Sequence, residues 1–200
     1  MIWMIRMIAT KIRKEQYEGN LRIYCHSALV ETVRTIANLT LPKKFTRLLD
    51  HRIQFVPLHN GDTKHILDYY VTFFYIISTK AKQYGFTMRL RNGQKLTCAG
   101  DEPLNEHCVG YAESSDWLMH EAFCLYSQRN QYDPYEKHHS TVREACELAS
   151  CLNVPNLILY HTEDDNIERR KALYTAEGRL YYKGNLYVPD DLECIEFDEV

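Results

Sequence analysis

Three apolar, strand-like runs each end on side chains that can bind a metal or move a proton: Lys95 to Asp101, Asp116 to Glu121, and Asn156 to His161. Side chains at strand ends gather along one rim of a sheet, so Asp101, His120, Glu121 and His161 are expected to converge. A fourth cluster, His138-His139-Ser140-Thr141, lies between the second and third runs, just ahead of a helical pattern. Imidazole and carboxylate are the donors that borderline and hard cations take. Together these groups form the pattern of one hydrolytic metal site spread along the chain.

Taken singly, each residue has a plainer reading. Asp101 could form a turn in Gly100-Asp101-Glu102-Pro103, but a carboxylate ending a buried strand costs free energy unless it is paired or bound to a cation. His161 alone would be a satisfied core histidine. His120 and Glu121 are either a ligand pair or an orienting pair behind a general acid, because a carboxylate fixes an imidazole's tautomer and supports its protonated form. His139, in the loop before a helix, can give a proton to a leaving oxygen. His138 competes for that role, and Lys137 makes a merely solvated loop the alternative. The segment from Tyr126 to Tyr135 could stack on bases or simply be surface.

The elements that must position these groups follow from periodicity. Residues 1 to 15 are read as a helix, whose first stretch, Met1 to Ala9, is apolar apart from Arg6, is expected to be buried and is too short to span a bilayer. Its flanks also lack the charge order and cleavage site of a signal peptide. Leu21 to Cys25 is a short strand. A helix over Ala28 to Asn38 puts Leu29, Val30, Val33, Ile36 and Ala37 on one face. Pro42 starts another helix, through Leu49. Arg52 to Leu58, Lys64 to Ile77, Tyr84 to Leu90 and Gln94 to Gly100 have strand composition, the last two joined by a turn at Arg91-Asn92-Gly93. Beyond Asp101, strands and helices alternate: a helix at Asn105 to Glu113, strands at Asp116 to His120 and Pro155 to Tyr160, and a helix at Thr141 to Cys151. Thr141 and Glu144 make a capping box for that last helix. A helix from Ile167 to about Tyr174 and a strand at Leu192 to Phe197 close the pattern. Hairpins first and βαβ units later give an α/β sandwich.

Length and composition fit this. The chain has 200 residues, 45% of them hydrophobic, enough for the core of one domain over residues 1–200. The net charge of -3 provides no global field for nucleic acid, so such a partner would be held by a local patch or by metal. The seven cysteines include no Cys-x-x-Cys pair, which points to thiols in a reducing cytoplasm.

Gly100-Asp101, Ser115-Asp116 through Phe123, His139-Ser140-Thr141 before a helix, and Leu157 through His161 resemble, in order and spacing, the C-terminal half of the metallo-β-lactamase superfamily, and within it the ribonuclease Z family. The resemblance implies a metallo-β-lactamase-like αββα sandwich. It makes Asp101 the carboxylate that bridges two metal ions and His161 a terminal ligand. His139 becomes the proton donor to the leaving group, with Glu121, and His120 beside it, in support. The implied cofactor is zinc, two ions in the complete site, with manganese possible. The implied substrate is RNA (precursor tRNA) or a small phosphodiester, and the implied assembly a homodimer. The family's His-x-His-x-Asp-His segment does not occur in this chain, so the sandwich is expected to be N-terminally incomplete, without its first strands and metal loop. A further family histidine falls on Ile77. Two other readings stand beside this one: a hydrolase of the same fold acting on a small ester or cyclic nucleotide, and a non-catalytic binding protein with a degraded metal site.

Overall fold

A computed structural model describes residues 1–165 and 167–197, and the backbone falls into two compact units, Met1–His59 and Asn60–Val200. In the first unit, helix α1 (Ile2–Arg13) buries Ile5, Ala9 and Ile12. Strand β1 (Leu21–Cys25) leads through α2 (Ser27–Thr40) and the short α3 (Lys43–Thr46) to β2 (Ile53–Pro57), which pairs parallel with β1. The His26 ring caps α2 by accepting from the Leu29 amide at 3.1 Å.

Three expectations are corrected here. Helix α1 is one-sided rather than buried all round, since Met1, Trp3 and Met7 are exposed. Its apolar composition exceeds what one packed face can cover. Ile36 is exposed too, so the α2 core stripe is Val30, Val33 and Ala37. The helix expected from Pro42 to Leu49 is a single turn at Lys43–Thr46.

The second unit is built on a seven-stranded mixed sheet in the order β3-β4-β5-β6-β7-β8-β9. Its first half is antiparallel: β3 (Thr63–Ile66), β4 (Tyr69–Tyr75), β5 (Tyr84–Arg89) and β6 (Lys95–Cys98). The single run expected over Lys64 to Ile77 is thus two strands, turned where Leu67 takes φ 52°. The Asn92-Gly93 turn forms as expected, with Gly93 at φ 85° and its amide donating to the Leu90 carbonyl at 3.0 Å. The second half is parallel: β6, β7 (Trp117–Glu121), β8 (Asn156–Tyr160) and β9 (Asn185–Tyr187).

Between β7 and β8 come a short α4 (Arg129–Tyr132) and α5 (Val142–Cys151). The capping box is present, with Glu144 accepting from the Thr141 amide at 2.7 Å. Helix α6 (Ile167–Tyr181) precedes β9 and runs further than its apolar pattern suggests. Val142, Ala145, Cys146 and Ala149 of α5 and Tyr174 of α6 pack with Leu118, Leu157 and Leu159 into the main core. Another cluster gathers Leu96, Trp117 and Ile158 with Tyr187, Ile195 and Phe197. Residues 192–197 are therefore not a strand; Phe197 meets the Trp117 ring edge-on at 4.8 Å. The last strand is Asn185–Tyr187, too short to leave an alternating signature. Asn105 to Glu113 makes turns and one 3-10 segment, Val109–Tyr111, anchored by the Asn105 side chain on the Ile76 carbonyl at 2.7 Å. All seven cysteines are free, and among the described residues no helix is long and apolar enough to cross a membrane.

Gly85 fixes the closeness of β4, β5 and β6. A Cβ there would lie 2.5 Å from the Phe74 ring and 2.7 Å from the Cys98 carbonyl oxygen. Backbone cannot yield as a side-chain tip can, so Gly85→Ala is expected to destabilise the chain by about 2 kcal/mol or more, read as a lowered urea midpoint at unchanged slope.

Candidate active site at the strand rim

The parallel strands β6, β7 and β8 deliver their C-terminal ends to one edge, the place where open α/β sheets bind ligands. Asp101 follows β6, Glu121 ends β7, and His161 follows β8. Gly100 makes the exit from β6 possible. It sits at φ 96°, and a Cβ there would meet Ile76 Cδ1 at 3.1 Å. The Tyr160 hydroxyl donates to the Gly100 carbonyl, tying the ends of β6 and β8 together. His161 leaves β8 in the left-handed region at φ 53°, with its side chain exposed.

Glu121 is fully buried. One carboxylate oxygen accepts the Ser140 amide at 2.6 Å, and the Ser140 hydroxyl donates to the Glu121 carbonyl at 3.0 Å. The other oxygen lies 3.5 Å from His139 Nδ1. His139 is buried as well, stacked on Phe123 with centroids 5.0 Å apart and 4.9 Å from the His161 ring. The loop is locked in place: the His139 amide donates to the Pro134 carbonyl at 2.8 Å and the Phe123 amide to the Ser140 carbonyl at 2.9 Å. Lys80 reaches in from the loop after β4, its Nζ 3.0 Å from His139 Nε2. An ammonium only donates, so Nε2 is the acceptor and the ring proton sits on Nδ1, facing Glu121.

Burial raises the Glu121 carboxyl to about 7, against the opposing pull of the Ser140 hydrogen bonds, with Asp101 adding to the rise. Burial also lowers His139, helped by the positive charges of Lys80 and His161 and opposed by Asp101 and Glu102. Burial thus favours the neutral form of both groups, the protonated carboxyl and the unprotonated ring.

His120 stands apart from this group. Its Nδ1 donates to the Glu121 carbonyl at 2.7 Å, and its Nε2 accepts from the Leu104 amide at 3.3 Å. Both nitrogens serve the backbone, and burial holds the ring neutral, with a pKa near 4. It pins the segment after Asp101 to β7. His138 is exposed, at φ 56°.

Asp101 keeps one buried carboxylate oxygen with no hydrogen-bond partner, as do Glu121 at Oε2 and His139 at Nδ1, whose 3.5 Å separation is too long for a hydrogen bond. Among the described residues no set of three or more His, Cys, Asp or Glu side chains is placed to hold a metal ion. Asp101 and His161 alone do not fit the four-coordinate site that zinc takes. Ile77 contributes no donor. It is 44% exposed and lies at φ 55°, a backbone state that a β-branched residue rarely adopts. Sequence reasoning passed over three participants. Lys80 had no spacing to mark it, and Phe123 and Ser140 were visible only as parts of their motifs.

The Glu121 value sets a pH dependence. Between about 4.5 and 7 the native state keeps a proton that the unfolded chain has released, so the stability this group gives below 4.5 is lost as pH rises through 7. Glu121→Gln removes that loss. The variant should gain on wild type by on the order of 2 kcal/mol between pH 4.5 and 8, measured as the difference of urea unfolding free energies across that range.

Comparisons with known proteins bear on this arrangement. No family model matches the chain. Ribonuclease Z of Thermococcus kodakarensis is 38% identical over 112 residues, 54% of this chain and 33% of that protein. Ribonuclease Z of Thermococcus sibiricus is 30% identical over 109 residues, again 54% of this chain and 33% of the relative. The matched segment is therefore about half of this chain and a third of the curated relatives. Among solved structures, the metallo-β-lactamase fold protein YhfI from Bacillus subtilis superposes with a TM-score of 0.70 at 16% identity, covering 94% of this chain and 70% of that one. The short form of human tRNase Z gives 0.62 at 15% identity, covering 91% and 70%. The chain has the metallo-β-lactamase fold, and about half of its length is similar in sequence to a third of the ribonuclease Z proteins of Thermococcus.

Proposed function

We propose that this chain carries the proton-transfer half of a ribonuclease Z-like phosphodiesterase whose substrate is RNA of the precursor-tRNA kind. The observation behind this is the buried Glu121–His139 contact at the C-terminal rim of β6, β7 and β8, together with the ribonuclease Z similarity. In this reading Glu121 holds the Nδ1 proton of His139 and supports the imidazolium, which delivers a proton to the leaving oxygen when the P–O bond breaks. Lys80, whose Nζ lies 3.0 Å from Nε2, disfavours the imidazolium and so makes its proton easier to give up. Zinc, or manganese, is the cofactor we propose. When bound, it would supply a Lewis acid and a hydroxide at neutral pH. Asp101 and His161 are the two donors this chain offers, short of the four that a stable zinc site uses, so binding by these residues alone would be weak. Assembly as a homodimer and a place in the cytoplasm are further parts of this reading.

A second reading rests on the sparse donor set. With two candidate ligands and Ile77 at the position where the family resemblance puts a histidine, a non-catalytic RNA- or phosphate-binding protein fits the same scaffold.

Elemental analysis of the dialysed chain should find zinc well below one equivalent, with RNA cleavage slow and dependent on added zinc or manganese. Under those conditions His139→Ala should lower turnover on the order of 10²–10⁴-fold and leave the metal content unchanged. Asp101→Asn should lower both. Metal loss in His139→Ala would reassign that residue as a ligand. No cleavage by wild type with any added divalent metal would leave the binding reading.

A further inference from the structure

The net charge of -3 conceals a division. Residues 1–59 hold 10 Lys and Arg against 4 Asp and Glu, whereas residues 60–200 hold 14 against 23. The first unit is thus +6 and the second -9. A +6 charge on 59 residues is a polyanion-binding signature that whole-chain composition hides.

Helix α1 shows where that charge is displayed. Its buried face is Ile5, Ala9 and Ile12. The opposite stripe, at helical spacing, lines a groove with Trp3, Arg6, Met7, Thr10, Lys11 and Lys14. Helix α1 contains no acidic residue, and among the described residues Arg6, Lys11 and Lys14 take part in no ion pair. Glu15 and Glu18, the nearest acids in sequence, come only after the helix ends. Cations near the C-terminus would be favoured by the helix dipole alone, which could account for Lys11, Arg13 and Lys14. That explanation fails for Arg6 and for Trp3.

Trp3 is 72% exposed, whereas Trp117, the second of the two tryptophans, is 1% exposed and packed among partners. An indole left in water on a basic stripe is the arrangement that single-stranded nucleic acid uses: bases stack on the ring and phosphates meet the cations. From Trp3 to Lys14 the stripe runs about 16 Å at 1.5 Å per residue, the reach of a few nucleotides.

We propose that the exposed face of α1 binds single-stranded RNA, with Trp3 as the stacking platform and Arg6, Lys11 and Lys14 as phosphate contacts. This requires no cleavage and no metal, so it stands apart from the hydrolytic reading. The test is titration of the full chain in EDTA with a mixed-sequence single-stranded RNA of about a dozen nucleotides, followed by tryptophan fluorescence. Buried Trp117 provides a constant background, so quenching reports Trp3. Trp3→Ala is expected to weaken binding by about 10-fold. Lys11→Glu with Lys14→Glu should weaken it further and reduce the salt dependence by about 0.7 in logarithmic slope per lost contact. Trp3→Phe should keep most of the affinity while abolishing the signal, read then by anisotropy of labelled RNA. All these positions are exposed, so unchanged circular dichroism is expected throughout. Equal affinity in wild type and both sets of variants would overturn the proposal. So would RNA binding without any change in Trp3 fluorescence, or salt-sensitive self-association of the chain in place of RNA binding.

Discussion

The buried Glu121 carboxylate is the constraint on which the second unit's rim depends. A carboxylate removed from water must find partners or take up a proton, and this one does some of each. It accepts the Ser140 amide, faces His139 Nδ1, and is pushed up to about 7 by burial. Satisfying it draws the 139–141 loop against the end of β7. That draws in the start of α5, where Thr141 and Glu144 close the capping box. The amide and carbonyl of Phe123 complete the zip, and the Phe123 carbonyl also accepts the Tyr174 hydroxyl of α6 at 3.0 Å. One desolvated acid thereby joins a strand end, the 139–141 loop and the start of α5.

The same economy explains His120. Adjacent residues on a strand point to opposite faces, so the pair His120-Glu121 separates into two tasks. Glu121 turns toward His139, and His120 turns to the Leu104 amide. Its neutrality at physiological pH follows from burial, and neutrality lets one ring donate and accept at once.

Much of the parallel half of the sheet was legible because its strands are buried on both faces and so read as continuous apolar runs. The capping box at Thr141 and the Asn92-Gly93 turn were equally plain, since each depends on local chemistry. What was lost depended on distant partners. Residues 192–197 have strand composition but serve as a cover over Trp117, and the three-residue β9 is too short for periodicity to register. Asn105 to Glu113 looks helical, yet the Asn105 side chain anchors it to the Ile76 carbonyl, and it turns instead. At the rim, Asp101, Glu121 and His161 could be picked out by type and position at strand ends, and His139 by its place just ahead of a helix. Lys80 could not, because it reaches His139 across 59 positions of sequence.

Ile77 and His161 leave their strands through the same left-handed backbone state, at φ 55° and 53°. At His161 the state suits the residue better, because histidine tolerates that region and a β-branched side chain does not. At position 77 the main chain is already bent into a form that its present occupant resists, and the side chain is half in solvent. A change from isoleucine to almost any unbranched residue would therefore relax the backbone rather than disturb it. Position 77 can thus be changed by point substitution without remodelling the fold, and the stability of the chain should rise rather than fall when a residue that tolerates the left-handed state stands there.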